Sequence, residues 1–133
     1  MDVTASAHAA ALWAGLNLLL LLVLSLLVVR QRQKHHVMFG DEGVPELAQA
    51  IRAFGNAAEY APAGVIGLAV LALAGAHAAA IHVGGAVLLT GRLAHAIGLS
   101  RTSGPSLLRS AGMIMTWIAY ILIGVALIIY AVG

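Results

Sequence analysis

The sequence contains no cysteine, and only 9% of its 133 residues are charged. Without cysteine the chain can form neither a disulfide nor a thiolate metal site, so any thiol in its chemistry must belong to a ligand. A water-soluble domain of this length needs more charge to cover its surface. With 62% hydrophobic residues, the chain is instead predicted to be an integral membrane protein. Its length predicts one domain, residues 1–133.

Four segments are apolar enough to cross a bilayer core of about 30 Å, which takes roughly 20 helical residues. They cover about 9–30, 45–74, 78–99 and 105–132. An open strand edge cannot be satisfied in lipid, so all four are predicted to be helices. The expected fold is therefore an all-α bundle of four transmembrane helices. Pro45 and Pro105 suit the first turns of the second and fourth helices, with Ser103 or Gly104 capping the fourth.

The basic residues are expected at one end of this bundle. Threading the four spans brings all seven to the same side of the membrane: Arg30, Arg32, Lys34, Arg52, Arg92, Arg101 and Arg109. The positive-inside rule then places both termini outside and the first and third loops in the cytoplasm. The basic loops suit anionic lipid headgroups, so membrane lipid, and not nucleic acid, is the expected partner of these charges.

One polar stretch, "RAFGNAAEYAP", lies where the second span enters the membrane. On a helix, Arg52, Asn56 and Glu59 share one face, with Tyr60 one position further round. Pro62 follows, where a kink is expected. Polar groups at membrane depth usually face the bundle interior and mark a site, although an internal pair between Arg52 and Glu59 is the alternative.

Cationic groups from other helices are expected to reach the same region. Arg92 and His95 lie near the cytoplasmic end of the third helix, Arg101 and Arg109 around the start of the fourth, and Arg30 at the end of the first. Arginine binds carboxylates in a bidentate way, and a nearby arginine lowers the pKa of a thiol. The pattern predicts a cytoplasmic-side site for an anionic ligand, with thiol chemistry as one use.

The motif Arg-x-x-x-Asn-x-x-Glu-Tyr-x-Pro, read here as Arg52, Asn56, Glu59, Tyr60 and Pro62, resembles that of the MAPEG family, the membrane-associated proteins in eicosanoid and glutathione metabolism. The resemblance extends over nearly the whole chain. It implies a homotrimer that binds glutathione between subunits, with helix-two contacts from the motif residues. It also implies that the arginine at the end of the first helix, Arg30 here, reaches in from the adjacent subunit.

The segment "GRLAHAIG" resembles helix three of the prostaglandin E synthase branch, which makes Arg92 and His95 further candidates for contact with glutathione. By the same resemblance Arg109 matches the arginine that activates the thiol, with Arg101 as the competing candidate. Leu99 stands where the family has a tyrosine. The resemblance therefore implies a bacterial member with broad glutathione transferase or peroxidase activity toward lipophilic electrophiles or hydroperoxides.

Two other functions remain open at this point. A small proton-coupled exporter of lipophilic cations also has four short spans and one intramembrane glutamate, here Glu59, but Arg52 on the same face would repel a cation. A non-catalytic membrane protein that binds a partner or lipid is the other. The six histidines are too dispersed for a metal site within one protomer, and none is predicted. Tyr120 is assigned to packing or to a lipid-substrate cleft.

Overall fold

The computed structural model describes residues 3–133, which form four helices and no strands. In chain order these are α1 (Val3–His35), α2 (Pro45–Leu73), α3 (Ala78–Arg101) and α4 (Leu107–Val132). Each is long and apolar enough to cross a membrane, so the predicted set of four membrane-spanning helices is confirmed. Residues 1 and 2, which the predicted single domain includes, lie outside the described residues.

Helix α1 is longer than the predicted 9–30 and ends at His35. The stretch that begins at Arg30, expected in the first loop, is therefore the last part of the helix. Its arginine, glutamine and lysine residues are good helix formers, and basic side chains in the last turn complement the helix dipole. The connection that remains turns through Gly40 and Gly43, both at positive φ, and Asp41 Oδ1 accepts a hydrogen bond from the Gly43 amide at 3.0 Å.

The start of α4 corrects a prediction. The helix begins at Leu107, capped by Ser106, and not at Pro105 with Ser103 or Gly104 as the cap. Several residues in this loop have capping side chains, and the hydrogen bond decides between them: Ser106 Oγ accepts from the Arg109 amide at 3.3 Å. Arg101, expected in the loop, is the last residue of α3. Pro45, in contrast, begins α2 as predicted.

Two apolar clusters hold the bundle together. At the end that holds the α2–α3 turn, all four helices contribute; the members are Ala9, Ala10, Leu68, Leu71, Ala72, Ala76, Ile81 and Ile123. Toward the other end, α1, α2 and α3 pack without α4; the members are Leu20, Leu24, Ala53, Ala57, Ala96 and Leu99. Many members are alanines, which lets the helix backbones approach closely, as is usual in membranes.

Helix α4 joins the second end of the bundle through glycines. A Cβ atom on Gly112 would lie 2.4 Å from the His95 amide nitrogen and 2.6 Å from the Gly91 carbonyl oxygen. A Cβ on Gly98 would lie 2.7 Å from the Arg109 amide nitrogen. Only glycine permits such contact between backbones. This close packing of α3 against α4 fixes where the first turns of α4, with Arg109, stand relative to His95.

Candidate functional site

The polar motif of α2 lies opposite the face that packs into the bundle. Ala53, Ala57 and Ala61 of α2 are each 1% exposed. On the other side of the helix, Asn56 is half-buried, whereas Arg52 and Glu59 are exposed. The apolar positions thus recur every four residues, and this spacing turns Arg52 and Glu59 away from the tightly packed interior and leaves Asn56 and Tyr60 at its margin.

Arg92 is the centre of a hydrogen-bond network that joins three helices. It is 1% exposed. Its Nε donates to Thr116 Oγ1 of α4 at 2.8 Å, and its Nη1 donates to Asn56 Oδ1 of α2 at 2.7 Å. A longer contact of 3.6 Å joins Nη2 to the Met113 sulfur. The guanidinium also lies 5.1 Å from the centre of the Tyr60 ring, which is a cation–π distance.

This network restrains the side chains around it. Thr116 itself donates to the Gly112 carbonyl at 2.9 Å, so its hydroxyl both accepts a hydrogen bond from Arg92 and donates one within α4. Arg92 in turn holds the Asn56 amide and the Tyr60 ring. No carboxylate is among the partners of Arg92 within residues 3–133. Its positive charge is therefore met only by neutral oxygens, a sulfur and an aromatic face, which leaves the region cationic.

Tyr120 connects α4 to the motif from a second direction. Its hydroxyl donates to the Tyr60 carbonyl at 2.5 Å, and the two rings lie 6.1 Å apart at an angle of 37°. The hydroxyl thus bonds α2 two residues before Pro62, which has no amide hydrogen and which α2 passes through as one helix. Packing was one of the two roles assigned to Tyr120, and the structure adds this hydrogen bond.

Arg52 and Arg109 meet in a cleft of about 260 Å³ at the basic end of the bundle. We call it the Arg52–Arg109 cleft; its lining residues are Pro45, Ala48, Gln49, Arg52, Leu99, Ser103 and Arg109. Neither guanidinium forms a hydrogen bond or ion pair within residues 3–133. Leu99, where the family resemblance expects a tyrosine, forms part of the wall. Two unpaired cations facing one open volume are a strong attraction for an anion.

The remaining predicted site residues lie in different surroundings. His95 is buried against the glycine contact between α3 and α4. Glu59 is exposed, and no ion pair joins it to Arg52 in the described part of the chain. Arg30 and Arg101 are exposed at the ends of α1 and α3, and neither lines the Arg52–Arg109 cleft. The structure thus gathers Arg52, Asn56, Tyr60, Arg92 and Arg109 and leaves Arg30, Glu59 and Arg101 at its edge.

The sequence did not predict three residues of the network. These are Met113, Thr116 and, as a hydrogen-bond donor, Tyr120. Their spacing of three and four residues on α4 is a helical face. A polar threonine and a tyrosine on that face, inside an otherwise apolar span, were the available signal. Among residues 3–133 no group of three histidine, aspartate or glutamate side chains is placed to hold a metal ion.

Comparisons with known proteins agree on one family. The model of the MAPEG family matches residues 10–129. Two curated relatives, both called inner membrane protein YecN, come from Escherichia coli strain K12 and strain O6:H1. Each is 40% identical to the chain over 116 residues, which cover 87% of this chain and 87% of the relative.

Proposed function

The chain belongs to the MAPEG family, and on that premise we propose that it is a glutathione-dependent enzyme of a bacterial inner membrane. It joins the glutathione thiolate to a lipophilic electrophile or uses it to reduce a lipophilic hydroperoxide. The observation that carries the proposal is the pair of unpaired guanidinium groups, Arg52 and Arg109, in one cleft of about 260 Å³. Glutathione carries carboxylates and a thiol, and the two arginines of the cleft suit one carboxylate and the thiolate.

In this proposal the polar face of α2 binds the peptide. Arg52 takes a carboxylate through paired N–H donors, and exposed Glu59 takes the ammonium group. Asn56 uses its amide hydrogens, because its oxygen already accepts from Arg92. Arg92 acts as a positioning residue: it is buried, and its donors hold Asn56 and Thr116. His95, buried where α3 packs against Gly112 of α4, is a second positioning residue.

Arg109 is assigned to the thiol, in preference to the competing candidate Arg101. Arg109 faces the cleft and Arg101 does not line it. A guanidinium beside the thiol lowers the thiol pKa by stabilising the thiolate, which is the nucleophile. The sulfur then attacks an electrophilic carbon, or attacks a peroxide oxygen so that the O–O bond breaks and an alkoxide leaves to be protonated. The oxygen that stays on sulfur gives a sulfenic acid, and the thiol of a second glutathione attacks that sulfur, so that the disulfide forms and water leaves.

The proposal includes a homotrimer and a fixed orientation in the membrane. Arg30 of the adjacent subunit would close the glutathione site from outside the protomer, and its exposed position on α1 supports this role. Lipophilic substrate enters from the bilayer between helices of adjacent subunits. Both termini lie outside and the loops before α2 and α4 lie in the cytoplasm, because the basic residues concentrate at that end.

The test is glutathione binding, measured by calorimetry on detergent-purified protein. We expect saturable binding by the wild type and its loss in Arg52→Ala and in Glu59→Ala. Arg101→Ala serves as the matched control, since it removes an arginine outside the cleft. Absence of binding by folded wild-type protein would overturn the proposal.

Turnover then tests the role of Arg109. With a chromogenic electrophile, Arg109→Ala should lower kcat about 10²- to 10³-fold, the range found when one charge-stabilising donor is lost. Binding should change far less. Activity should rise with pH as the thiol ionises and then level off. Because the guanidinium lowers the thiol pKa, that rise should move to higher pH in Arg109→Ala, and an unmoved profile would refute the assignment.

The exporter remains the second candidate because Glu59 is exposed and unpaired within residues 3–133. An exporter of this kind would release protons when it binds a lipophilic cation, and Glu59→Gln would abolish the release. Proton release by the wild type with tetraphenylphosphonium, together with no glutathione binding, would favour this function over the enzyme. Glutathione binding without turnover would instead favour a non-catalytic binding protein.

A further inference from the structure

A second pocket lies at the basic end of the bundle, next to the Arg52–Arg109 cleft, with which it shares Gln49. It has a volume of about 220 Å³, opens to the surface and is bounded by the end of α1, the start of α2 and the end of α3. Its wall carries four polar side chains, Gln31, Glu46, Gln49 and Ser100. Leu27 and Leu24 line it one and two turns before Gln31 on α1, which is deeper in the membrane. We call it the Glu46 pocket.

The polar wall contains a carboxylate but no positively charged side chain to pair with it. Gln31 Oε1 is buried without a hydrogen-bond partner. Glu46 forms no ion pair within residues 3–133, and no arginine or lysine lines the pocket. A buried acceptor without a donor costs free energy. Glu46, an exposed residue at the start of α2, also complements the helix dipole, but the dipole does not explain the unpaired glutamine oxygen.

We propose that the Glu46 pocket binds the primary ammonium group of an aminophospholipid headgroup. An ammonium group has three N–H donors and a positive charge. One donor suits the Glu46 carboxylate, a second suits Gln31 Oε1, and the oxygens of Gln49 and Ser100 are available to the third. A headgroup whose nitrogen is fully methylated has the same charge but no N–H donor, so it leaves the Gln31 oxygen unpaired.

The surroundings favour a lipid over a soluble amine. Leu27 is 39% exposed and Leu26 is 55% exposed, so the leucine wall continues into a surface that faces the acyl chains. Arg30 and Arg101 are exposed and are the chain neighbours of Gln31 and Ser100. Basic side chains beside the pocket suit the phosphate of a phospholipid. The Arg52–Arg109 cleft has the opposite character, since its charged lining residues are both arginines.

The experiment is lipid retention, measured by native mass spectrometry. Protein is equilibrated with vesicles of equal parts phosphatidylethanolamine and phosphatidylcholine with identical acyl chains, and extracted into mild detergent. We expect the wild type to retain phosphatidylethanolamine over phosphatidylcholine by about tenfold, the order of one charge-assisted hydrogen bond. Equal retention of the two lipids by the wild type would overturn the proposal.

Two variants and one control locate the bound lipid. Glu46→Gln and Gln31→Leu should each abolish the preference, whereas Glu42→Gln should keep it, because Glu42 is an exposed carboxylate of the loop before α2 and does not line the pocket. Circular dichroism checks folding, and if one variant does not fold the other decides. An undiminished preference in a folded variant would overturn the proposal.

Free ethanolamine in excess distinguishes the two sources of an ammonium group. If phosphatidylethanolamine stays bound in the presence of excess ethanolamine, the occupant of the Glu46 pocket is the lipid. If ethanolamine displaces it completely, the pocket binds a soluble amine and the lipid assignment is overturned. The readout involves no glutathione, so its failure leaves the proposed enzyme untouched, and failure of glutathione binding leaves this inference standing.

Discussion

The two ends of the same four helices are held together in different ways. At the end with the α2–α3 turn, which we call the apolar half, the helices pack through a cluster of apolar side chains around Leu68, Leu71 and Ile81. Few polar contacts cross it: Ser6 Oγ donates to the Ala76 carbonyl at 2.7 Å, and Trp13 Nε1 donates to His82 Nδ1 at 3.2 Å. At the other end, the polar half, a buried arginine and backbone-to-backbone glycine contacts join α4 to the bundle.

The difference shows where buried and clustered polar groups are placed in this fold. A charge buried at membrane depth is costly, and such residues usually mark a functional site. Arg92 has that cost in the polar half, where the Arg52–Arg109 cleft and the Glu46 pocket lie next to each other. In the apolar half the buried cluster contains alanine, leucine and isoleucine side chains and no charged residue. One half of the molecule therefore provides stability, and the other orients side chains.

The largest effect should come from separating α3 and α4 in the polar half. Gly112→Val places side-chain atoms where a Cβ alone would be 2.4 Å from the His95 amide nitrogen. Backbone cannot give way as a flexible side chain can, so we expect a loss above the usual 1–3 kcal/mol of overpacking, about 4 kcal/mol. Thermal unfolding in detergent measures it. Gly124→Val is the control on the same helix, since a Cβ at Gly124 has nothing within 4 Å; equal loss in both would refute the contact.

The second-largest loss of stability should come from removing the two separate hydrogen-bond donors of the Arg92 guanidinium. Arg92→Lys keeps the charge but cannot donate to Thr116 and Asn56 together, because lysine lacks the planar guanidinium. We expect a loss of about 2 kcal/mol in the free energy of unfolding and weaker glutathione binding. Arg101→Lys provides the matched control at an exposed position. A lysine variant with wild-type stability and binding would show that charge alone, and not hydrogen-bond geometry, is required.

A substitution in the apolar half should separate stability from binding. A Cβ on Gly85 would lie 2.2 Å from the Trp13 ring, so Gly85→Ala should displace the indole and break its bond to His82. We expect a loss of about 1.5 kcal/mol, within the overpacking range. The Kd for glutathione should stay unchanged. A higher Kd for glutathione, measured where the variant is fully folded, would contradict the division between the two halves.

The smallest expected effect is that of Tyr120→Phe. This change removes the hydroxyl that donates to the Tyr60 carbonyl and keeps the ring contact. A single neutral hydrogen bond contributes about 1 kcal/mol, so unfolding should shift slightly. Tyr130→Phe is the control, because Tyr130 is exposed at the far end of α4. A shift of the same size in both variants would mean that the bond to Tyr60 contributes nothing.

Much of the architecture follows from local pattern. Four apolar runs of spanning length predict four helices, since backbone groups in lipid must bond within their own segment. The face formed by Arg52, Asn56 and Glu59 follows from helical spacing alone. The start of α4 does not, because Ser103 and Ser106 are equally good caps and only the hydrogen bond to the Arg109 amide distinguishes them.

The membrane class, the four spans and the set of polar residues at one end therefore follow from the sequence. The contacts of those residues follow from the tertiary structure. It buried Arg92 against Thr116 and left Arg101 outside the Arg52–Arg109 cleft, and it placed Gln31 and Glu46 together from different helices. The physical reason is that periodicity fixes which face of a helix a residue occupies, whereas the rotation and approach of neighbouring helices, set here by glycine contacts, fix what that face meets.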